Sequence, residues 1–288
     1  MQVLRSHRDG YPRVYRTRFD DADGNKVDGI VKAERAPEAW WGEFAVYYTQ
    51  PVEGFLVPVI GHVVNGKFVR GLPVLEACDP ECPNGRSIYG PDSGFHAPKA
   101  GLCPIVMKDC GPTLTEQRLY LPTSDKIDVA GKLVDALRQM EERRLYVTDL
   151  KLENICMADS KIMFIDPGSL ACGKAVPVTS AIVLANWLRE PIGLISGLEA
   201  ALVSFAAENP VASPDNCITA PVGAFVGLSA KIAIAQLLDF SDAALAFFQA
   251  VDHIFKNATT PIRVCVGDRI TDYRDFTHFF ASAGHLVL

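Results

Sequence analysis

The chain has 288 residues, 49% of them hydrophobic and 22% charged, with a net charge of −6. That length is enough for a sizeable core in one two-lobed domain or two small ones, and the hydrophobic share excludes a disordered chain. The acidic balance argues against a general attraction to nucleic acid or to an anionic membrane.

The first twenty residues carry Arg5, Arg8, Arg13, Arg16 and Arg18, not the apolar run of a signal peptide. Val14 to Phe19 alternates Val and Tyr with Arg and Thr, as a half-exposed strand does. Turn residues follow at Asp21-Ala-Asp-Gly-Asn25, and Val27 to Ala33 reads as the returning strand of a hairpin. Pro37 to Tyr48 places Trp40, Trp41, Phe44, Tyr47 and Tyr48 at helical spacing, with Pro37 near the start where it is tolerated. Phe55 to Val64 is strand-rich and interrupted by Pro58, and Gly66 to Val69 continues it after an Asn65-Gly66 turn. Residues 73–104 lose all periodicity in favour of Pro, Gly, Cys and Asp, which predicts a long insertion of the functional kind.

Ile105 to Lys108 predicts a short buried strand closed by Cys110-Gly-Pro. Asp125 to Arg143 predicts an amphipathic helix with Ile127, Ala130, Leu133, Val134, Leu137 and Met140 on one face. From Ser180 the chain reads as largely helical, with breaks near Pro191, Asn209 to Pro221, Phe240 to Asp242 and Ala258 to Pro261. Its apolar stretches are interrupted by charges such as Arg189, Glu190, Glu199 and Lys231, so they predict core helices, not membrane spans. The expected fold is α+β: a small sheet lobe with one helix over 1–111, containing the 73–104 insertion, then a helical lobe over 112–288. The expected location is the cytosol.

Eight cysteines are irregularly spaced and read as reduced, buried thiols. Cys78 and Cys82, with His96 and Cys103 nearby, could hold zinc, but the second Cys-x-x-Cys of a ribbon is absent. Asp21-x-Asp23-x-Asn25 opens like a calcium loop, yet Lys26 and Lys32 stand where glycine and glutamate are required.

The chemistry concentrates in Asp149-Leu-Lys151-Leu-Glu-Asn154, followed by the apolar Lys161-Ile-Met-Phe-Ile and then Asp166-Pro-Gly168. Phosphoryl transfer from ATP needs a carboxylate to orient the acceptor hydroxyl and take its proton. It also needs a second carboxylate and an amide oxygen for the metal that bridges the phosphates. One hairpin with this spacing supplies all of them.

From Asp149 onward the loop resembles the catalytic loop of eukaryotic-type protein kinases, and Lys151 resembles the serine/threonine kinases in particular. The resemblance implies a two-lobed protein-kinase-like fold, ATP and Mg2+ as cofactors, and a protein hydroxyl as acceptor. Asp149 would be the base, Lys151 would neutralise the γ-phosphate, Asn154 would ligate a metal, and Asp166, in the place of the Asp-Phe-Gly aspartate, would be the main magnesium ligand. Gly29-Ile-Val-Lys32 resembles the Val-Ala-Ile-Lys strand, so Lys32 would contact the α- and β-phosphates. Glu43 is the candidate carboxylate for Lys32, at the border of the face set by Trp40, Phe44 and Tyr47, with Glu34, Glu38 and Glu53 as rivals. Met107 would lie near the gatekeeper position, and Lys108, Asp109 and Cys110 in the hinge that accepts adenine.

Three departures accompany the resemblance. No Gly-x-Gly-x-x-Gly lies between Val14 and Lys32, where an acidic turn stands instead. Val147 and Thr148 replace the His-Arg before the aspartate, which removes the arginine that would pair with a phosphorylated activation loop. No Ala-Pro-Glu follows Gly168. This combination is similar to the reduced kinases that bacterial pathogens inject into host cells, the OspG and NleH group. It implies secretion without a cleavable signal peptide and a host protein as substrate or activating partner. Two alternatives stand beside it: a pseudokinase scaffold that acts by binding a partner, and a small-molecule kinase on the same fold.

Overall fold

The computed structural model describes residues 2–6, 12–21, 23–33, 44, 47, 54–77, 95–98, 103–147, 150–165, 170–172, 177–178 and 217–265. The protein is α+β, and the chain divides into two compact units, Met1–Gly111 and Pro112–Leu288. The first holds a small antiparallel sheet, and the second holds the long helices.

In the first unit the strands are β1 (Gln2–Ser6), β2 (Pro12–Asp20), β3 (Lys26–Lys32), β4 (Val59–Val64), β5 (Lys67–Arg70), β6 (Leu75–Ala77), β7 (Phe95–Pro98) and β8 (Ile105–Lys108). Six of them form one sheet in the order β1-β2-β3-β8-β4-β5, and β6 pairs with β7 separately. Two features differ from the sequence reading. Strand β1 precedes the predicted hairpin, and the 73–104 insertion contains the β6/β7 pair. The Asn65-Gly66 turn forms as predicted, with positive φ at both residues (50° and 76°), the geometry that matches the twist of its strands. Phe44 and Tyr47 have helical backbone; Phe44 is fully buried, and the Tyr47 hydroxyl donates to the Val57 carbonyl at 2.8 Å.

The sheet curls tightly. Phe19 of β2 stacks on Phe68 of β5 with ring centroids 5.4 Å apart, although three strands separate β2 from β5 in the sheet order. Glycine makes this possible. A Cβ at Gly61 would lie 2.4 Å from the Phe68 ring, and one at Gly29 would lie 2.6 Å from Val106.

The acidic β2–β3 turn is closed by its own groups. The Asp21 carboxylate is enclosed and accepts the Asp23 and Asn25 N–H groups at 3.0 and 2.8 Å and the Arg70 guanidinium at 2.6 Å. The Asp21 and Gly24 N–H groups bond to the Asn25 and Asp21 carbonyls within the turn. The Arg70 hydrogen bond, with the Asn25 N–H, lowers the Asp21 carboxyl from 3.8 to about 2 against the opposing effect of burial. Because the folded value is depressed, this stabilisation is present above the unfolded value of 3.8 and disappears as pH falls towards 2. Asp21→Asn is therefore expected to destabilise the protein at pH 7 and to approach wild type between pH 4 and pH 2, as roughly bracketed by those two values. Denaturant melts across pH check this, and a gap that does not narrow in acid would refute it.

In the second unit α1 (Leu114–Gln117) is followed by α2 (Thr123–Glu142), β9 (Leu145–Val147), β10 (Ile155–Ala158), β11 (Lys161–Phe164), β12 (Leu170–Cys172), β13 (Pro177–Val178), β14 (Cys217–Pro221), α3 (Val222–Leu237), α4 (Leu245–Phe255) and β15 (Pro261–Cys265). Glu116 reaches back to accept the Thr113 N–H at 2.8 Å, capping α1. Helix α2 buries Ala130, Leu133, Val134, Leu137 and Met140 as its periodicity predicts, and Val129 besides. Ile127, however, is 41% exposed, and Lys126 takes the buried place with its ammonium 2.5 Å from Asp239. Asp239 has a φ of 53° just beyond the end of α3.

Helix α3 is apolar nearly all round, as a core helix is. At its start the Gly223 N–H donates to Ala258 at 2.8 Å, and a Cβ there would meet the Phe255 carbonyl at 2.4 Å. Strands β14 and β15 pair antiparallel, with β13 alongside; the sequence reading puts β14 in a break between helices and β15 beyond Pro261 in a helical stretch, which the pairing corrects. Among the described residues no helix is long and apolar enough to cross a membrane.

Candidate functional site

Each unit carries part of the predicted chemistry. In the first, β3 lies between β2 and β8, with Lys32 opposite Val14 on one side and Ile105 on the other. Two residues back, Ile30 stands between Arg16 and Met107 in the same way. Directly opposed residues share a face and alternate residues return to it. Val14, Arg16, Ile30, Lys32, Ile105, Met107 and, one step further, Asp109 therefore belong to one face. Lys32 and Met107 are buried, and Lys108 is exposed. Buried lysine is uncommon, because desolvating an ammonium is costly without a compensating anion.

Beyond β8 the connection is shaped by Asp109. Its carboxylate accepts the Gly111 N–H at 3.0 Å and the Arg16 Nη2–H at 3.2 Å, and it lies 2.5 Å from Arg16 Nε. The Nε–H is not aligned for a hydrogen bond, so that contact is ionic. Gly111 has a φ of 81°, which a side chain would strain. Cys110, between them, is half-buried. Arg16 entered the sequence reading only as one of a run of arginines. Its face and its partner are set by the β2–β3–β8 register.

In the second unit the segment 150–154 is fixed by alternating apolar anchors. Leu150 and Leu152 are buried, while Lys151 between them is extended and forms an ion pair with Glu153 at 2.7 Å. Leu152–Asn154 form a 3-10 turn with Asn154 buried inside it. The Asn154 N–H donates to the Lys151 carbonyl at 2.9 Å, and the Asn154 carbonyl accepts the Ile165 N–H at 3.0 Å. Strands β10 and β11 pair with Ile155 opposite Phe164. Asn154 is thus hydrogen-bonded across the hairpin to the residue that precedes Asp166 in the chain.

Asp149, Asp166 and Glu43 lie outside the described residues, as do Cys78 and Cys82 of the zinc candidate. Cys103 is a buried thiol whose pKa is raised by that burial, as expected for an inert core cysteine. Among the described residues no group of three or more His, Cys, Asp or Glu is arranged to hold a metal. The donors that the sequence offers for magnesium, an amide oxygen and a carboxylate, are the hard oxygen ligands that ion takes. No protein-family model matches the chain, and no curated protein matches it.

Proposed function

We propose that the protein is a minimal serine/threonine protein kinase that transfers the γ-phosphate of ATP to a protein hydroxyl. The observation that carries this reading is the 3-10 turn with buried Asn154, hydrogen-bonded to Ile165 immediately before Asp166. It supports a metal-binding amide and a metal-binding carboxylate supplied from the two arms of one hairpin. A second support is Lys32, buried on the third strand of its sheet, the strand on which protein kinases carry the phosphate-binding lysine.

In this reading Lys32 binds the α- and β-phosphates, with Glu43 as its orienting carboxylate. Met107 and the 108–110 segment border the base, Asp149 orients the acceptor, and Lys151 leaves Glu153 for the γ-phosphate. Asn154 and Asp166 hold Mg2+, which neutralises charge developing on the phosphates. The shortened segment after Gly168 leaves target recognition to other surfaces. The 73–104 insertion and the C-terminal helices are the candidates, with a host protein as substrate or activator of a secreted effector.

The scaffold alternative is supported by the missing glycine-rich motif between Val14 and Lys32 and by the absence of Ala-Pro-Glu after Gly168. The two readings separate on labelled ATP with Mg2+ and generic protein substrates. Transfer to the protein itself or to a substrate supports the kinase, whereas nucleotide binding without any transfer supports the scaffold. Asp166→Ala is expected to abolish the magnesium-dependent part of ATP binding, read by titration with and without Mg2+. Unchanged Mg-ATP affinity in that variant would remove Asp166 from the metal.

A further inference from the structure

We propose that Arg16 is a positioning residue for base selectivity: it holds the Asp109 carboxylate in an ion pair, and this makes the connection after β8 prefer adenine to guanine. The proposal rests on the kinase reading and assigns a determinant within that site. Asp109, the first residue past β8, lies four residues on from Ile105, the partner of Lys32, on the order of 14 Å at strand rise. If Lys32 takes the phosphates, ribose and base run along this face towards Asp109.

The chemistry at that end depends on what Asp109 has free. An ionised carboxylate only accepts hydrogen bonds. Guanine presents donors at N1 and the exocyclic N2, so an available carboxylate there recruits it with charge-assisted bonds. Adenine offers the same carboxylate a single donor edge, its N6 amino group, beside an N1 acceptor that the carboxylate repels. In the structure the charge of the Asp109 carboxylate is countered by Arg16 at both oxygens. One takes the Gly111 N–H and the Arg16 Nη2–H, and the other lies against Arg16 Nε. Arg16 reaches it from β2, with Ile30 of β3 between Arg16 and Met107 in the register. The fork of a guanidinium can hold both oxygens, which the single ammonium of lysine does not do.

The test is displacement of a fluorescent nucleotide by ATP and by GTP on the full chain, for wild type, Arg16→Lys, Arg16→Met, Asp109→Asn and the Arg16→Met/Asp109→Asn double variant. Wild type is expected to prefer ATP. Arg16→Met is expected to move the ATP:GTP affinity ratio towards GTP by about tenfold or more, the effect of one hydrogen bond to a charged group. Arg16→Lys is expected to be intermediate. The double variant is expected to regain adenine preference, because the neutral amide has no charge to expose. A loss of packing alone would weaken both nucleotides together and would not be repaired by the second substitution. A wild-type protein that binds neither nucleotide overturns the kinase reading and this proposal with it. Wild-type ATP binding with an unchanged ratio in Arg16→Met, or a shift that persists in the double variant, overturns this proposal alone.

Discussion

Asp149→Ala is expected to slow phosphoryl transfer by about 10²- to 10⁴-fold, the usual contribution of a positioned general base, while nucleotide affinity and thermal stability stay near wild type. The selectivity of the effect follows from how the loop is built. Its packing is carried by Leu150 and Leu152, both buried, and by the Asn154 bonds to Lys151 and Ile165. None of these passes through the side chain at 149. In the proposed division of labour, Lys32 and the metal ligands bind the nucleotide, and Asp149 meets only the acceptor. Initial rates with labelled ATP, beside nucleotide titrations and melting curves on the same preparations, give the three readouts. Transfer that survives the substitution would move the base to another residue. Parallel loss of transfer and ATP affinity would place Asp149 among the nucleotide ligands.

The elements legible in the sequence were those whose periodicity is sustained or whose turn residues admit one geometry. Helix α2 runs for 20 residues with a repeating apolar face, and the Asn65-Gly66 turn has the two residues that accept positive φ most readily. Strand β1 was not legible. Its five residues, Gln-Val-Leu-Arg-Ser, do not alternate, its pairing with β2 is irregular, and Val3 and Leu4 remain about half exposed. Strands β14 and β15 are short and carry prolines at their ends, so β14 reads as part of a helix break and β15 beyond Pro261 as part of a helical stretch. Only their mutual pairing makes them strands.

The same division holds at single residues. Periodicity alone puts Ile127 in the core, but Asp239 sits in a left-handed conformation past the end of α3 and draws Lys126 into that place instead. Position 126 is therefore decided by a residue 113 positions away. At the candidate site the spacing of Lys151 and Asn154 was readable as a motif, whereas the anchoring of Lys151 between buried Leu150 and Leu152 needed the structure. The Asn154 to Ile165 hydrogen bond needed the hairpin register. The Arg16 to Asp109 pair needed a strand from elsewhere in the chain to lie between its partners. Charge and spacing identified the chemical groups, and register determined which of them meet.

Phe164→Ala is expected to cost the second unit about 3–5 kcal/mol, the range for deleting a buried aromatic ring, against a total that for most domains is about 5–15 kcal/mol. Phe164 is 1% exposed on β11 and lies opposite Ile155, which is fully buried. The cavity would open beneath the next residue, Ile165, whose N–H holds the Asn154 carbonyl. Phe164→Leu keeps most of the volume and is expected to lose less than about 1.5 kcal/mol. Urea unfolding measures both variants, and hydrogen exchange at the Ile165 amide reports whether the hairpin loosens locally before the unit unfolds. Faster exchange there in Phe164→Ala, with weakened Mg-ATP binding at temperatures where the protein is still folded, is the expected pair of results. It would tie the packing of β11 directly to the proposed metal-binding end of the hairpin, in contrast to Asp149→Ala, where transfer is expected to be lost and stability kept. A loss below about 1 kcal/mol would mean that the ring is not part of a close-packed core and that the hairpin is held by its backbone bonds alone.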